Sequence, residues 1–149
     1  VDGELNGLEH EPNNLLPIVL ETIVGRRKKV EVFGTDYDTR DGSCIRDYIH
    51  VSDLADAHLL ALDYLKRENQ DLVVNLGTSK GLSVLEVLRI AREISATEFK
   101  YTLGPRRDGD PAVVLAKADL AAELLGWKPK HSDAQTLLET TLRAYRQSS

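Results

Sequence analysis

Two arginine-bearing stretches carry the residue types best suited to gripping a diphosphate. The first is Arg46-Asp47-Tyr48-Ile49-His50-Val51, followed by Asp53-Leu54-Ala55, and the second is Pro105-Arg106-Arg107-Asp108-Gly109-Asp110. A guanidinium presents paired N–H donors that match two phosphate oxygens at once, which makes Arg46 and Arg107 the candidates. Asp110 could accept from two ribose hydroxyls, because a carboxylate takes several hydrogen bonds. The plain alternatives stand beside these. Arg46 with Asp47, and Arg106 or Arg107 with Asp108 or Asp110, would serve equally as exposed ion pairs worth well under ~1 kcal/mol each, and Asp110 next to Pro111 is a common turn pairing. Asn14 poses the same choice between a simple helix N-cap and a phosphate ligand at a helix N-terminus.

Other chemistries find little support. His50 and His58 stand eight residues apart across a strand-to-helix junction, a poor spacing for a metal pair, and no His/Cys/carboxylate cluster suggests zinc, so no metal is expected. There is no Ser-His-Asp order with a nucleophile elbow, and Gly77-Thr78-Ser79-Lys80-Gly81 lacks the Walker spacing. No glycine-rich dinucleotide fingerprint and no Tyr-x-x-x-Lys occurs among the ten glycines and five tyrosines.

The 149 residues suffice for one domain with a real core. A net charge of −5 argues against holding a polyanion through the overall field, so nucleic acid is not an expected partner, although a local basic cluster could still hold one diphosphate. No apolar run reaches the ~18 residues of a membrane span. The single cysteine, Cys44, cannot form an internal disulfide and reads as a small buried hydrophobe, which fits a reducing, cytoplasmic setting. The chain opens on Val1, lacks a signal-peptide pattern and contains no methionine, so it reads as part of a longer protein.

The elements that must position these residues alternate between helix and strand. Residues 1–13 read as an extended arm. Asn14 can open a helix to about Val24 with Leu16, Val19 and Ile23 on one face and Gly25 past its end, and the basic run Arg26 to Lys29 suits that negative terminus. Val30 to Phe33 predicts a strand closed by Gly34, Thr35 to Ser43 a loop, and Cys44 to His50 a second strand. Ser52 precedes a helical pattern of Leu54, Ala57, Ala61, Tyr64 and Leu65 with Asp53 in the first turn. Leu72-Val73-Val74-Asn75-Leu76 predicts a strand covered on both faces. Ser83 and Glu86 form a capping box for a helix to about Ile94, Phe99 to Leu103 alternates as a strand, and Val113 to Leu115 is another short one. Ala118 to Leu125 predicts a helix ended by Gly126, with Trp127 folding back and Pro129 preventing continuation. Ser132 and Gln135 read as a capping box for a last helix carrying Leu138, Thr141, Leu142 and Tyr145. The pattern predicts an α/β class, a small mixed lobe.

Taken in order, Asn14-Leu15-Leu16-Pro17, Val32-Phe33-Gly34, Asp41-Gly42-Ser43, Arg46 through Ala55, Asn75-Leu76-Gly77, Pro105 through Asp110 and Leu125-Gly126-Trp127 resemble the C-terminal part of the bacterial UDP-glucose 4-epimerases. These are extended short-chain dehydrogenase/reductase enzymes. The resemblance implies a substrate-binding lobe over residues 1–149 that packs on an NAD-binding Rossmann domain absent from this chain. It implies that Asn14 contacts the UDP diphosphate with Leu15 beside it, and that Glu31 to Phe33, with Val32 and Phe33, border uracil. Arg46 and Arg107 would bind phosphate, Asp110 would hold the ribose, and Tyr48 would line the cleft. Val114 matches a position beside the sugar C2 substituent, where a residue smaller than tyrosine leaves room for an N-acetyl group, so UDP-N-acetylhexosamines join UDP-glucose and UDP-galactose as expected ligands.

The implied reaction removes hydride from sugar C4 to NAD and returns it to the opposite face. Its Tyr-x-x-x-Lys pair and cofactor site belong to the absent domain, so no catalytic residue and no NAD contact is expected here, and the isolated chain is expected to be inactive. Homodimerisation is implied for the joined protein. The helix after His50 and the segment ending at Leu76-Gly77 would be left with bare apolar surface. Two alternatives remain: a non-catalytic UDP-sugar-binding module, and part of a related nucleotide-sugar epimerase, decarboxylase or dehydratase.

Overall fold

Val30-Glu31-Val32-Phe33 alternates apolar and polar residues, and in the computed structural model, which describes residues 11–147, it forms strand β1 (Val30–Phe33) behind helix α1 (Leu15–Ile23). Most of the expected arm, residues 1–10, lies outside the described residues, and 11–13 form neither helix nor strand. Strand β2 (Ile45–Arg46), helix α2 (Val51–Glu68), strand β3 (Leu82–Ser83) and helix α3 (Val84–Ser95) follow. Strands β4 (Tyr101–Gly104) and β5 (Val113–Val114) and helices α4 (Asp119–Leu125) and α5 (Ala134–Gln147) complete an α/β arrangement.

Two small sheets organise it. β1 pairs in parallel with β4, Val30 opposite Tyr101 and Phe33 opposite Gly104. β2 lies between antiparallel β3 and parallel β5, so that Arg46 stands opposite both Leu82 and Val114. β4 starts two residues later than the alternation suggests, because Phe99 turns into the core and its carbonyl takes the Arg92 guanidinium at 2.7 Å. β2 is shorter than the expected Cys44 to His50. From Asp47 onward a side chain replaces the ladder: its carboxylate accepts from the N–H groups of Thr78 (3.0 Å) and Ala116 (3.3 Å), donors that longer strands would have used.

The main core gathers Val19, Val30, Val32, Val87, Leu88, Ala91, Phe99 and Leu138, joining α1, β1, α3 and α5. The α3 capping box forms as expected, with the Ser83 hydroxyl accepting from Glu86 N–H and the Glu86 carboxylate accepting from Ser83 N–H. The loop 35–43 is tied to that same helix end by Arg40 to Glu86 and by the Asp41 carboxylate to the Ser43 and Ser83 hydroxyls. Gly42 closes the loop at φ +82°, where a Cβ would lie 2.2 Å from the Thr35 carbonyl oxygen, so the turn requires glycine.

A second cluster packs Ala57 of α2 against Ala121 and Trp127. Gly126 takes the left-handed conformation at the end of α4, and Trp127 folds back as expected, its N–H reaching the Ala121 carbonyl.

Three local expectations give way in the structure. α2 is capped by His50, whose ring accepts from Ser52 N–H, and Ser52 lies inside the helix. α5 is capped by Asp133, which accepts from Thr136 N–H at 2.9 Å, because the Ser132 hydroxyl is committed to the buried Asp53 carboxylate; Gln135 turns instead to Glu139. Residues 72–76 form no strand. Val73 is 89% exposed and no strand of the described residues lies alongside, so the apolar run has a cover on one side only, where Val74 and Leu76 meet the Trp127 cluster. Leu59, Leu62 and Leu65 of α2 are exposed as well, the bare surface that the resemblance implied.

Candidate functional site

A cleft of about 1120 Å³ opens between the start of α1, the turn after it, β1 and the segment joining β2 to α2. Pro12 to Ile18 form one wall. Asn14 occupies the N-cap position with extended backbone, and its carbonyl accepts from Ile18 N–H at 3.2 Å, but its side chain makes no capping bond. The plain capping role is therefore not taken. Asn14 lines the cleft at the start of α1, where the helix dipole favours anions.

The opposite wall comes from Cys44 to Ile49. Arg46 donates to the Ile45 carbonyl at 2.8 Å and pairs with Asp110, which also takes the Cys44 thiol at 3.8 Å. Burial pushes that thiol up in pKa. Tyr48 lines the same wall, and desolvation raises its phenol to about 12, so it is a neutral hydroxyl there. The expected Arg46–Asp47 pair does not form, because Asp47 holds Thr78 and Ala116.

Arg107 closes the cleft from the loop after β4. Its guanidinium lies 3.8 Å from the centre of the Phe33 ring, and it has no carboxylate partner among the described residues. Stacking uses the flat face of the guanidinium and leaves its N–H edge for a ligand. Arg106 points elsewhere, pairing with Asp36 at 2.7 Å and lying over Tyr37, so neither arginine pairs with Asp108 or Asp110.

Of the nine residues singled out from sequence, Asn14, Leu15, Phe33, Arg46, Tyr48, Arg107 and Asp110 share this one cleft. Val32 does not line it; it is 1% exposed and supports Phe33 from the core. Val114 also lies off the wall, 47% exposed on β5 in register with Arg46. The sequence reading missed Arg27, Lys28 and Lys29, which line the cleft because β1 carries them back over it. Their signal was the basic run itself. With them, five cationic and three acidic side chains face the cleft, a local excess of positive charge on a chain of net charge −5.

A second polar centre lies behind the Tyr48 wall. The Asp53 carboxylate accepts from Lys130 N–H (2.9 Å), from His131 N–H (3.0 Å) and from the Ser132 hydroxyl. Burial alone would raise its pKa, but these donors outweigh burial and hold it below the usual carboxylate range.

Among the described residues no three His, Cys, Asp or Glu side chains are grouped to hold a metal. The strand-to-helix passages, from β2 to α2, β3 to α3 and β5 to α4, contain no glycine, whereas a dinucleotide pyrophosphate needs close backbone approach there. The described strand-to-helix junctions thus lack the glycine turn on which such a pyrophosphate rests. No helix among the described residues is long and apolar enough to cross a membrane.

Comparison with known proteins gives this geometry a family. The chain is 42% identical over 139 residues to a UDP-glucose 4-epimerase of Lacticaseibacillus casei, covering 93% of this chain and 42% of the relative. The UDP-glucose-4-epimerase of Stenotrophomonas maltophila, whose crystal structure has bound NAD and formylated UDP-arabinopyranose, superposes with a TM-score of 0.94 at 40% identity, over 98% of this chain and 44% of that one. The UDP-Glc/GlcNAc 4-epimerase of Campylobacter jejuni superposes at 0.84 with 41% identity, over 99% and 44%. The match falls on the C-terminal part of the solved chains, and this chain spans about two fifths of the length of the curated relatives. Residues 2–77 match the family described as NAD dependent epimerase/dehydratase, and the chain belongs to that family.

Proposed function

We propose that this chain is the UDP-sugar-binding part of a UDP-glucose 4-epimerase, with the cofactor site and the acid–base residues supplied by sequence outside it. The single observation that carries this reading is the convergence of Asn14, Leu15, Phe33, Arg46, Tyr48, Arg107 and Asp110 on one cleft that is locally cationic. Arg107 and Arg46 hold the diphosphate with the Asn14 amide and the open start of α1, Asp110 accepts from the ribose hydroxyls, and uracil lies along Glu31 to Phe33. Entry of the ligand exchanges the Arg46–Asp110 pair for a phosphate on one side and a diol on the other. Each half-buried charge thereby keeps a partner throughout, which avoids the penalty of stranding one. No proton or hydride transfer is assigned to this chain, because its described strand-to-helix junctions lack the glycine turn of a dinucleotide site. The joined enzyme is proposed to be a cytoplasmic homodimer.

Calorimetric titration of the chain with UDP-glucose, alongside an epimerisation assay with added NAD, tests the reading. Binding without turnover is the expected result. Absence of binding would remove the grip from this chain, and turnover would show that catalytic groups have been overlooked in it.

Val114 is proposed to border the sugar C2 substituent, which the width of valine leaves open to an N-acetyl group. The Campylobacter jejuni relative is a UDP-Glc/GlcNAc 4-epimerase, which favours the wider ligand class. In the full-length protein, where the rest of the sugar pocket is proposed to close over it, Val114→Tyr should weaken UDP-N-acetylglucosamine by about 1–3 kcal/mol, the cost of overfilling a packed site, and leave UDP-glucose nearly unchanged. Equal losses for the two ligands would remove the gate.

A further inference from the structure

His50 is 4% exposed at the junction between the cleft wall and α2, and each of its polar atoms has a defined partner. Ring Nδ1 lies 3.0 Å from Ser52 N–H, which can only donate, so Nδ1 must be without a hydrogen. Ring Nε2 lies 3.0 Å from the Thr140 hydroxyl of α5. That hydroxyl spends its one hydrogen on the Thr136 carbonyl at 2.7 Å, so toward the ring it accepts, and Nε2 carries the hydrogen. The His50 backbone N–H donates to Ser132, whose own hydrogen goes to Asp53. The His50 ring thus fastens the end of the Arg46–Ile49 segment to α2 and to α5, and its backbone N–H fastens it to the 130–132 turn, while Tyr48, Ile49 and Val51 around it line the cleft.

We propose that His50 is a proton-sensitive positioning residue, whose neutral ring holds the end of the Arg46–Tyr48 wall of the cleft to the start of α2 and whose second proton breaks that hold while the contact of Nε2 with Thr140 stays. The second proton must go on Nδ1, where it meets the Ser52 N–H head to head and removes the cap of α2. It also places a cation at the positive end of the α2 dipole. Among the described residues two titratable groups act on the ring: Asp53 from α2, which favours the charged form, and His131 from the turn before α5, its ring 5.9 Å away, which disfavours it. From α5 the uncharged Thr140 hydroxyl meets it. Burial, the largest influence, lowers the His50 pKa, consistent with a neutral ring. The sign follows from linkage. The unfolded chain takes up the proton first, near its ordinary pKa of about 6.5, so the fastening is fully present above that pH and is lost as pH falls from there through the lower folded value.

This proposal rests on the UDP-sugar reading for its effect on binding but not for the fastening itself, so two readouts are taken between about pH 7.5 and about pH 5, the span over which an imidazole titrates. The first is the urea unfolding midpoint of the chain and of His50→Asn, whose amide oxygen can still accept from Ser52 N–H without titrating. The wild type should lose stability relative to His50→Asn below about pH 6.5, and parallel pH profiles would overturn the proposal. The second is the Kd for UDP-glucose, whose diphosphate is esterified at both ends and keeps its charge over this range. It should rise about tenfold in the wild type, or about 1.4 kcal/mol, and less than about twofold in His50→Asn. If UDP-glucose fails to bind at the upper pH, the functional reading falls while the unfolding curves still decide the fastening. Nitrogen NMR of the ring in the wild type covers the case in which His50→Asn does not fold: a bare Nδ1 at the upper pH that gains its proton on acidification is expected, and a hydrogen already on Nδ1 there would overturn the proposal.

Discussion

Trp127→Ala should destabilise the chain by about 3–5 kcal/mol, the range for truncating a buried aromatic to alanine. Trp127 is 2% exposed and fills the space between α2 and α4, touching the cluster of Ala57 and Ala121 with Val74, Leu76, Ala118 and Leu125 around it. Its neighbours include three alanines, which have no longer side chain to swing into the void, so the cavity should persist and the cost should lie toward the upper end. The indole N–H also donates to the Asp53 carbonyl at 2.9 Å, beside the carboxylate that gathers Lys130, His131 and Ser132. Trp127→Phe separates the two contributions, since it keeps most of the apolar area and loses the hydrogen bond, for which a net cost of about 0.5–1.5 kcal/mol is expected. Urea unfolding near neutral pH gives both numbers. A loss under about 1 kcal/mol in the alanine variant would show that the α2–α4 contact contributes little to this fold, since core aromatic truncations cost several times more.

Arg107→Ala should weaken UDP binding by about 1.5–3 kcal/mol, the range for hydrogen bonds to charged groups, or roughly 10- to 150-fold in Kd. Arg107 is the cleft arginine without a carboxylate partner among the described residues, so its removal strands no buried charge, and the loss reports on the ligand. Arg46 is different. Its removal would also leave Asp110 unpaired, mixing a folding cost into the binding measurement. Arg107→Lys keeps the charge but not the forked edge or the stacking on Phe33, so it should lose affinity to an intermediate degree. An unchanged UDP affinity in Arg107→Ala would take the phosphate role away from this residue.

Five of the corrections share one cause. Ser132 and Gln135 have the spacing of a capping box, yet Ser132 turns to Asp53, which is 79 positions away along the chain. Arg46 sits next to Asp47 but pairs with Asp110, 64 positions away, while Asp47 reaches Thr78 and Ala116. Asn14 stands at the head of a helix and leaves the capping bond unmade. Leu72 to Leu76 has the composition of a buried strand and lacks a neighbouring strand among the described residues. The basic residues after α1 suited a helix terminus, and the return of β1 sets Arg27, Lys28 and Lys29 on the cleft.

What the sequence determined by itself is what a few neighbouring residues can decide among themselves. The Ser83 and Glu86 capping box, the left-handed Gly126 with Trp127 folding back, the alternation of β1 and the α/β order are all settled within one turn or one strand, where partners are close whatever the rest of the chain does. It also supplied the residue types of the cleft, because only guanidinium, carboxylate and amide groups can do that chemistry. The tertiary structure decided which donor meets which acceptor. Polar side chains within reach of several partners take the one that leaves the fewest buried groups unsatisfied, and that comparison exists only once distant segments have been brought together.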